Sequence, residues 1–437
     1  MKVFRARPFL GGAVSGYTPL LHSTTRAPSC PLRSISCSTR RRGIGVNHVR
    51  SSIQPRSFVG RPYSIDHKAP KPPPFAFAFD IDGVLLHVSK PIPGATQTLE
   101  FLQKHNIPFI LLTNGGGKHE TERVEDLSAR LGVELSTDNF IQSHTPFQEL
   151  AHGREGGLRD KNVLVTGSDA AKCRVIAERY GFRHVIIPAD ILAAHPTVFP
   201  FNPLMAELYA KTARPLPSPD PKIDAIFVFN DPRDWALDSQ LIVDLLMSKD
   251  GVLGTYSPRN GLKDLPNNGW QRDGQPALFF SNPDLFWAAA HPHPRLGQGA
   301  FQAAIAGIWR EVTGGAAELE RVTIGKPHGA TYEFAERVLN AHRAAVLGLD
   351  PEKGGRELGQ GVLERVYMVG DNPASDIRGA NEYKSPEGTD WKSVLVRTGV
   401  WSPERGGDPV FRPGAIVDDV KGAVEWALEQ EGWRERI

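Results

Sequence analysis

The chain has 437 residues, 40% apolar and 23% charged, the proportions of a globular protein with room for two or three domains. No stretch approaches the roughly 18 consecutive apolar residues of a membrane span, so no integral membrane segment is expected. The net charge of +2 conceals a split: residues 1–65 hold ten arginines, Lys2 and no acid, which leaves 40 basic against 49 acidic residues downstream. An acidic body repels a polyphosphate, so nucleic acid is not an expected partner.

The basic head is rich in arginine and serine and lacks the continuous apolar core of a secretory signal. Residues 1–63 read as a mitochondrial transit peptide, with "RPYSI" placing the cleavage after Tyr63. Residues 64–74, ending in "APKPPP", form a stiff proline-rich linker. Cys30 and Cys37 fall in the head, which leaves Cys173 alone in the body and rules out a disulfide scaffold there. Cys173, Ile176 and Tyr180 share helical spacing, so a packed core cysteine is the expectation.

Beyond the linker, strand-like and helix-like patterns alternate, which predicts an α/β fold with a doubly wound parallel sheet. Core strands are expected at 75–79, 108–113, 321–324, 365–370 and 393–398. Val124, Leu127 and Leu131 make one helix face that ends at Gly132. Phe301, Ile305, Ile308 and Trp309 make another. The middle third has its own αβ rhythm: strands at 162–167, 184–187, 225–229 and 277–280, a helix capped by Ser168, and a helix carrying Leu237, Leu241 and Leu245. The predicted organisation is core at 75–144, an inserted αβ cap at 145–295, and core again at 296–437.

Several predicted core strands end in a chemical group. Asp80 and Asp82 follow the first, Thr113 and Asn114 the second, Lys326 the third, and Asp371 and Asp376 the fourth. In a parallel sheet the carboxyl ends of the strands open onto one crevice, so these groups should meet. Acids, a lysine, a hydroxyl and glycine amides suit a phosphoryl group bound with a divalent cation. Carboxylate donors favour Mg²⁺, with Asp80 and Asp371 as ligands. Lys326 would neutralise charge on the phosphoryl oxygens, and Thr113 with the amides of Asn114 and Gly115 could cradle them. No serine, cysteine or histidine has an evident partner set, so a carboxylate is the expected nucleophile. Period-two spacing could bring Asp82 to the side of Asp80, where it would pass a proton to the leaving group.

"DIDGV", "TNGGG", "GKP" and "GDNPASD", in this order and at these separations, resemble the four motifs of the haloacid dehalogenase superfamily. The insertion between the second and third is similar to the C2-type cap of subfamily IIA, and "FSNPD" (280–284) resembles a segment near the end of that cap. With "NDPRDW" (230–235) and the basic leader, the likeness extends to the mitochondrial cat-eye-syndrome-critical-region hydrolases, over about residues 72–430. The resemblance implies that Asp80 is the nucleophile and Asp82 the general acid and base. It implies that Thr113 binds phosphate and that Lys326 stabilises the phosphoaspartate. Mg²⁺ would be held by Asp80, the Asp82 carbonyl and Asp371, with Asp376 behind. Gly115 stands where the subfamily often has a second asparagine.

The expected activity is Mg²⁺-dependent hydrolysis of a small phosphorylated metabolite. The alternatives are phosphoryl transfer through the same intermediate, or a catalytically quiet mitochondrial protein that keeps the fold for binding, linked to glycerophospholipid metabolism.

Overall fold

A computed structural model describes residues 73–437 except 154–156, 288, 290, 292, 349–362 and 404–406. The predicted transit peptide, with Cys30 and Cys37, and all of the linker but its last two prolines lie outside the described residues.

The first strand, β1 (Phe75–Phe79), has all five residues buried. Its side chains divide with period two. Phe75, Phe77 and Phe79 point into one hydrophobic layer, Ala76 and Ala78 into the opposite one. A strand covered on both faces needs an unbroken apolar run, which "FAFAF" supplies. Helices α1 (Ala95–Lys104) and α2 (Glu120–Leu131) flank β2 (Phe109–Leu112) in the chain and cover the phenylalanine face, and the short β3 (Phe140–Ile141) follows. Gly132 ends α2 with φ 69°, where its amide donates to Ser128 O at 2.9 Å; glycine enters this left-handed cap without steric penalty.

The chain then builds a second sheet from β4 (Asn162–Thr166), β5 (His184–Ile186), β6 (Ala225–Val228), β7 (Ala277–Phe280) and β8 (Val322–Thr323). Its helices include α3 (Ala170–Arg179), α4 (Trp235–Met247) and α5 (Gln298–Val312). It returns to the first sheet through α6 (Gly329–Val346), β9 (Arg365–Gly370), β10 (Asp390–Val396), β11 (Ala415–Val417) and α7 (Val420–Gln430). The first sheet has the order β11-β10-β9-β1-β2-β3 and the second β8-β7-β6-β4-β5. Every pairing within both is parallel.

Four expectations are corrected. The strand at 321–324 is not part of the first sheet: Val322 and Thr323 pair with Phe279 and Phe280 on the edge of the second. The apolar pattern marks a strand without saying which edge it joins. Helix α5, expected in the second part of the core, packs on the second sheet, where Phe301 lies 5.3 Å from Trp235 and Trp309 lies 5.5 Å from Trp270 between ring centroids. The second sheet therefore claims the chain as far as about residue 324 rather than 295. Within α5, Phe301, Ile305 and Trp309 are buried, with Gln298 and Gln302 beside them, while Ile308 is 40% exposed, because it falls outside the stripe that faces the sheet. Helix α3 is capped by Asp169, which accepts from Lys172 N at 3.2 Å, and not by Ser168, whose amide and hydroxyl are both bonded to Asn230.

Cys173 is buried among Ile176, Tyr180 and Phe227, and burial pushes its thiol up to about 12. Among the described residues no helix is long and apolar enough to cross a membrane.

Candidate active site

Strand β1 delivers Asp80 to the carboxyl edge of the first sheet, where its amide donates to Val369 O at 2.9 Å. The chain turns sharply behind it: Val84, Leu85 and Leu86 all donate to Ile81 O, and Gly83 takes φ 89°. Glycine is required at 83 for a second reason, since a Cβ there would run into the Asp371 carboxylate and the Gly399 Cα; a Cβ on Gly399 would run into the same carboxylate. Packed against these two glycines, Asp371, just after β9, is 3% exposed and accepts from Val400 N at 2.6 Å. Asp376 lies one wide turn later, where its Oδ2 accepts from Asn372 N at 3.0 Å.

Lys326 is 1% exposed, and its Nζ lies 2.6 Å from Asp80 Oδ1 and 2.7 Å from Asp376 Oδ1. Asp80, Asp371 and Asp376 each offer an oxygen within 4.8 Å of the others'. Three buried carboxylates face one ammonium, so the ionised cluster lacks positive charge. Burial raises Asp80 to about 7 against the pull of Lys326, with Asp376 adding to the rise. Asp371 is raised further by burial, then by Asp80 and Asp376. For Lys326 burial alone would favour the neutral amine, but Asp376 and Asp80 outweigh it and raise its pKa. An all-oxygen donor set short of positive charge, with glycines leaving room around Asp371, fits a hard divalent cation of the Mg²⁺ type.

Asp82 lies at the open side of the site, its carboxylate 3.9 Å from where a Cβ on Gly115 would sit. Desolvation by the cleft walls raises its pKa, and Arg123 and Lys326 oppose this. Thr113 is buried and anchored by its amide to Ile141 O at 3.0 Å. Its Oγ1 accepts from Gly115 N at 3.0 Å, which leaves the hydroxyl proton for a ligand and spends the Gly115 amide on the loop itself. The Asn114 side chain is turned onto the backbone of Lys326, accepting from its N–H at 2.8 Å and donating to its carbonyl at 2.9 Å. Asp80, Lys326, Asp371 and Asp376 thus meet, Thr113, Asp82 and Gly115 line the adjoining loop, and Asn114 acts on Lys326.

The carboxyl ends of the second sheet face this loop. The Asn230 side chain, after β6, lies where a Cβ on Gly117 would sit. Asn282, after β7, donates to Asn114 O at 3.0 Å, and Asp284 Oδ2 accepts from Asn114 Nδ2 at 3.1 Å. Burial raises Asp284 to about 6 and raises Asp231 as well, Arg233 opposing the latter. A cleft of about 640 Å³ opens alongside, lined among others by Asp284, Phe286, Pro327, His328, Asn372 and Arg378. His328 borders it, its pKa lowered by burial and by Arg378. Sequence reasoning assigned no role to Asn282 or Asp284, although the quoted "FSNPD" was the available signal. Gly399 and the Val400 amide carried none.

The chain belongs to the haloacid dehalogenase-like hydrolases. Residues 77–183 match the haloacid dehalogenase-like hydrolase model and residues 323–423 the HAD-hydrolase-like model. It is 39% identical over 375 residues to a mitochondrial hydrolase of Saccharomyces cerevisiae, covering 81% of this chain and 96% of that protein. It is 41% identical over 356 residues to a cardiolipin synthase (CMP-forming) / mitochondrial hydrolase fusion protein of Schizosaccharomyces pombe, again over 81% of this chain but only 53% of the fusion. A hypothetical protein of Pyrococcus horikoshii shares the fold, with a TM-score of 0.50 and 19% identity over 81% of this chain and 99% of that one. A 4-nitrophenylphosphatase of Thermotoga maritima gives a TM-score of 0.48 at 17% identity, over 80% of this chain and 96% of that one.

Proposed function

We propose that the protein is a Mg²⁺-dependent phosphatase that hydrolyses a small phosphorylated metabolite through an aspartyl-phosphate on Asp80. The observation that carries this reading is the buried Asp80–Lys326 contact of 2.6 Å inside a cluster with Asp371 and Asp376. Asp80, Asp371 and Asp376, with the Asp82 carbonyl, would hold the cation, which when bound supplies positive charge against the phosphoryl oxygens.

Asp80 attacks phosphorus; the bond to the leaving oxygen breaks, and that oxygen takes the proton of Asp82, whose raised pKa favours carrying one. Asp82 then takes a proton from water as the water oxygen attacks the same phosphorus, and the acyl-phosphate bond breaks to return the Asp80 carboxylate and release phosphate. Thr113 donates its hydroxyl proton to a phosphoryl oxygen, and Lys326 offsets the charge that develops there. The relatives named as mitochondrial hydrolases, together with the acid-free arginine-rich leader, support action in the mitochondrion, with the matrix as the proposed compartment.

The test is phosphate release from p-nitrophenyl phosphate with and without Mg²⁺, with Asp80→Asn as control. Release by the wild type that needs Mg²⁺ and disappears in the variant is expected; equal release by both would overturn the reading. A panel of phosphorylated metabolites that includes lipid head-group phosphates, with and without alcohol acceptors, then separates hydrolysis from transfer.

A further inference from the structure

The groups of this site do not stand on one scaffold. Asp80 and Asp371 close strands of the first sheet, whereas Lys326 follows β8 on the edge of the second, where Ile324 N donates to Phe280 O at 2.9 Å. Any displacement of the second sheet would carry the Lys326 backbone away from Asp80 unless something ties the two together.

Asn114 has the geometry of such a tie. Its side-chain amide imitates a neighbouring peptide, meeting both N–H and C=O of Lys326 at 2.8 and 2.9 Å. The second proton of Nδ2 goes to Asp284 Oδ2 at 3.1 Å, so both amide protons are spent and neither remains for a phosphate oxygen. The Asn114 carbonyl accepts from Asn282 Nδ2 at 3.0 Å, and Asn282 Oδ1 accepts from Asp284 N at 2.8 Å. Asn282 is itself fixed to α5, taking Gln298 Oε1 on its amide at 2.9 Å and Gln302 Nε2 on its carbonyl at 2.8 Å. Gly325 passes so close that a Cβ there, at φ 90°, would press on Ser281 O, the Pro283 ring and Asn114 Oδ1.

We propose that Asn114, Asn282 and Asp284 are positioning residues that clasp the second sheet to the first and thereby hold the Lys326 ammonium in register with Asp80. The inference rests on the reading of Asp80 and Lys326 as groups that act on the phosphoryl centre. It alters the role of Asn114, whose side chain serves the lysine and not the phosphate.

The experiment measures kcat, KM and the melting midpoint of the full chain on p-nitrophenyl phosphate with saturating MgCl2, for wild type, Asp284→Ala, Asp284→Asn and Asn282→Ala, with Asp80→Asn alongside. A misplacement of about 1 Å costs on the order of 10²-fold in rate, so Asp284→Ala should lose roughly 10- to 100-fold in kcat with KM changed less than about 3-fold. Asp284→Asn keeps an acceptor oxygen for Asn114 and should recover most of that loss, which general destabilisation would not do. Wild-type kcat in Asp284→Ala beside an inactive Asp80→Asn overturns the clasp and leaves the phosphatase reading intact. Wild-type kcat in Asp80→Asn overturns that reading, and the clasp with it. If Asp284→Ala does not fold, Asn282→Ala, which removes the bond to the Asn114 carbonyl, decides in its place: a kcat loss supports the clasp and wild-type kcat overturns it.

Discussion

Replacing Lys326 by Met asks how much of the site depends on one buried ammonium. Methionine fills a similar volume, so the change removes charge and donors with little cavity. Lys326 is 1% exposed, and its ammonium sits 2.6 Å from Asp80 and 2.7 Å from Asp376, with Asp371 completing the cluster. Breaking a buried ion pair by removing one partner costs about 3–5 kcal/mol, because the remaining charge is left uncompensated. The Lys326→Met protein should therefore lose about that much unfolding free energy in EDTA at neutral pH. Adding Mg²⁺ should recover part of it: a ligand at 100 times its Kd contributes about 2.7 kcal/mol by mass action, and three carboxylates without their ammonium attract the cation more strongly. Catalysis should not return, because losing a preorganised charge at the phosphoryl oxygens costs about 10²–10³ in kcat. Urea denaturation with and without MgCl2, and p-nitrophenyl phosphate turnover on the same samples, measure both. A variant that unfolds at the wild-type urea concentration in EDTA, or turns over at the wild-type rate, refutes the reasoning.

Other outcomes follow from single features. Removing Mg²⁺ with EDTA should abolish phosphate release and restoring it should recover the rate, as a metal titration of activity will read. Gly399→Ala pushes a methyl group into the Asp371 carboxylate and should weaken Mg²⁺ activation by at least about tenfold, measured as the MgCl2 concentration giving half the maximal rate. Asp190→Ala removes a carboxylate that meets Arg174 at 2.7 and 2.8 Å in the buried second-sheet layer, and should cost about 3–5 kcal/mol in urea unfolding. Asp238, which accepts from Thr166 Oγ1 at 2.7 Å, is raised by burial from 3.8 to about 8. Between those values the folded chain binds the extra proton, so wild-type stability should fall as pH rises from about 4 to 8, and Asp238→Asn should flatten that slope in pH-resolved melting.

Legibility in the sequence followed the reach of each interaction. Strand β1 was readable to the residue because a strand buried on both faces is written in consecutive letters, and β9 likewise. The edge strands β3 and β11, two and three residues long, are too short to carry a period. β8 was readable as a strand and misassigned to a sheet, since Val322 and Thr323 carry no mark of Phe279 and Phe280 as partners. The carboxylates could be grouped in advance because Asp80 and Asp371 follow neighbouring strands of one parallel sheet, whose carboxyl ends share one side. Lys326 was expected beside them for the same reason, yet it follows the edge strand of the second sheet and meets Asp80 from there. The duty of Asn114 could not, because it depends on Lys326 212 positions away and on Asp284 170 away. Only the folded chain shows that both its amide protons are already committed.

The most direct measurement is acid-quenched mass spectrometry of the Asp82→Asn protein after incubation with p-nitrophenyl phosphate and MgCl2, where the proposed mechanism predicts that loss of the Asp82 carboxylate slows hydrolysis of the aspartyl-phosphate. One phosphoryl group on the peptide that contains Asp80, absent when Asp80 is also replaced by Asn, is the predicted result. A phosphoryl group on any other residue would contradict the account, and so would turnover by Asp82→Asn that leaves no phosphoryl group on the protein.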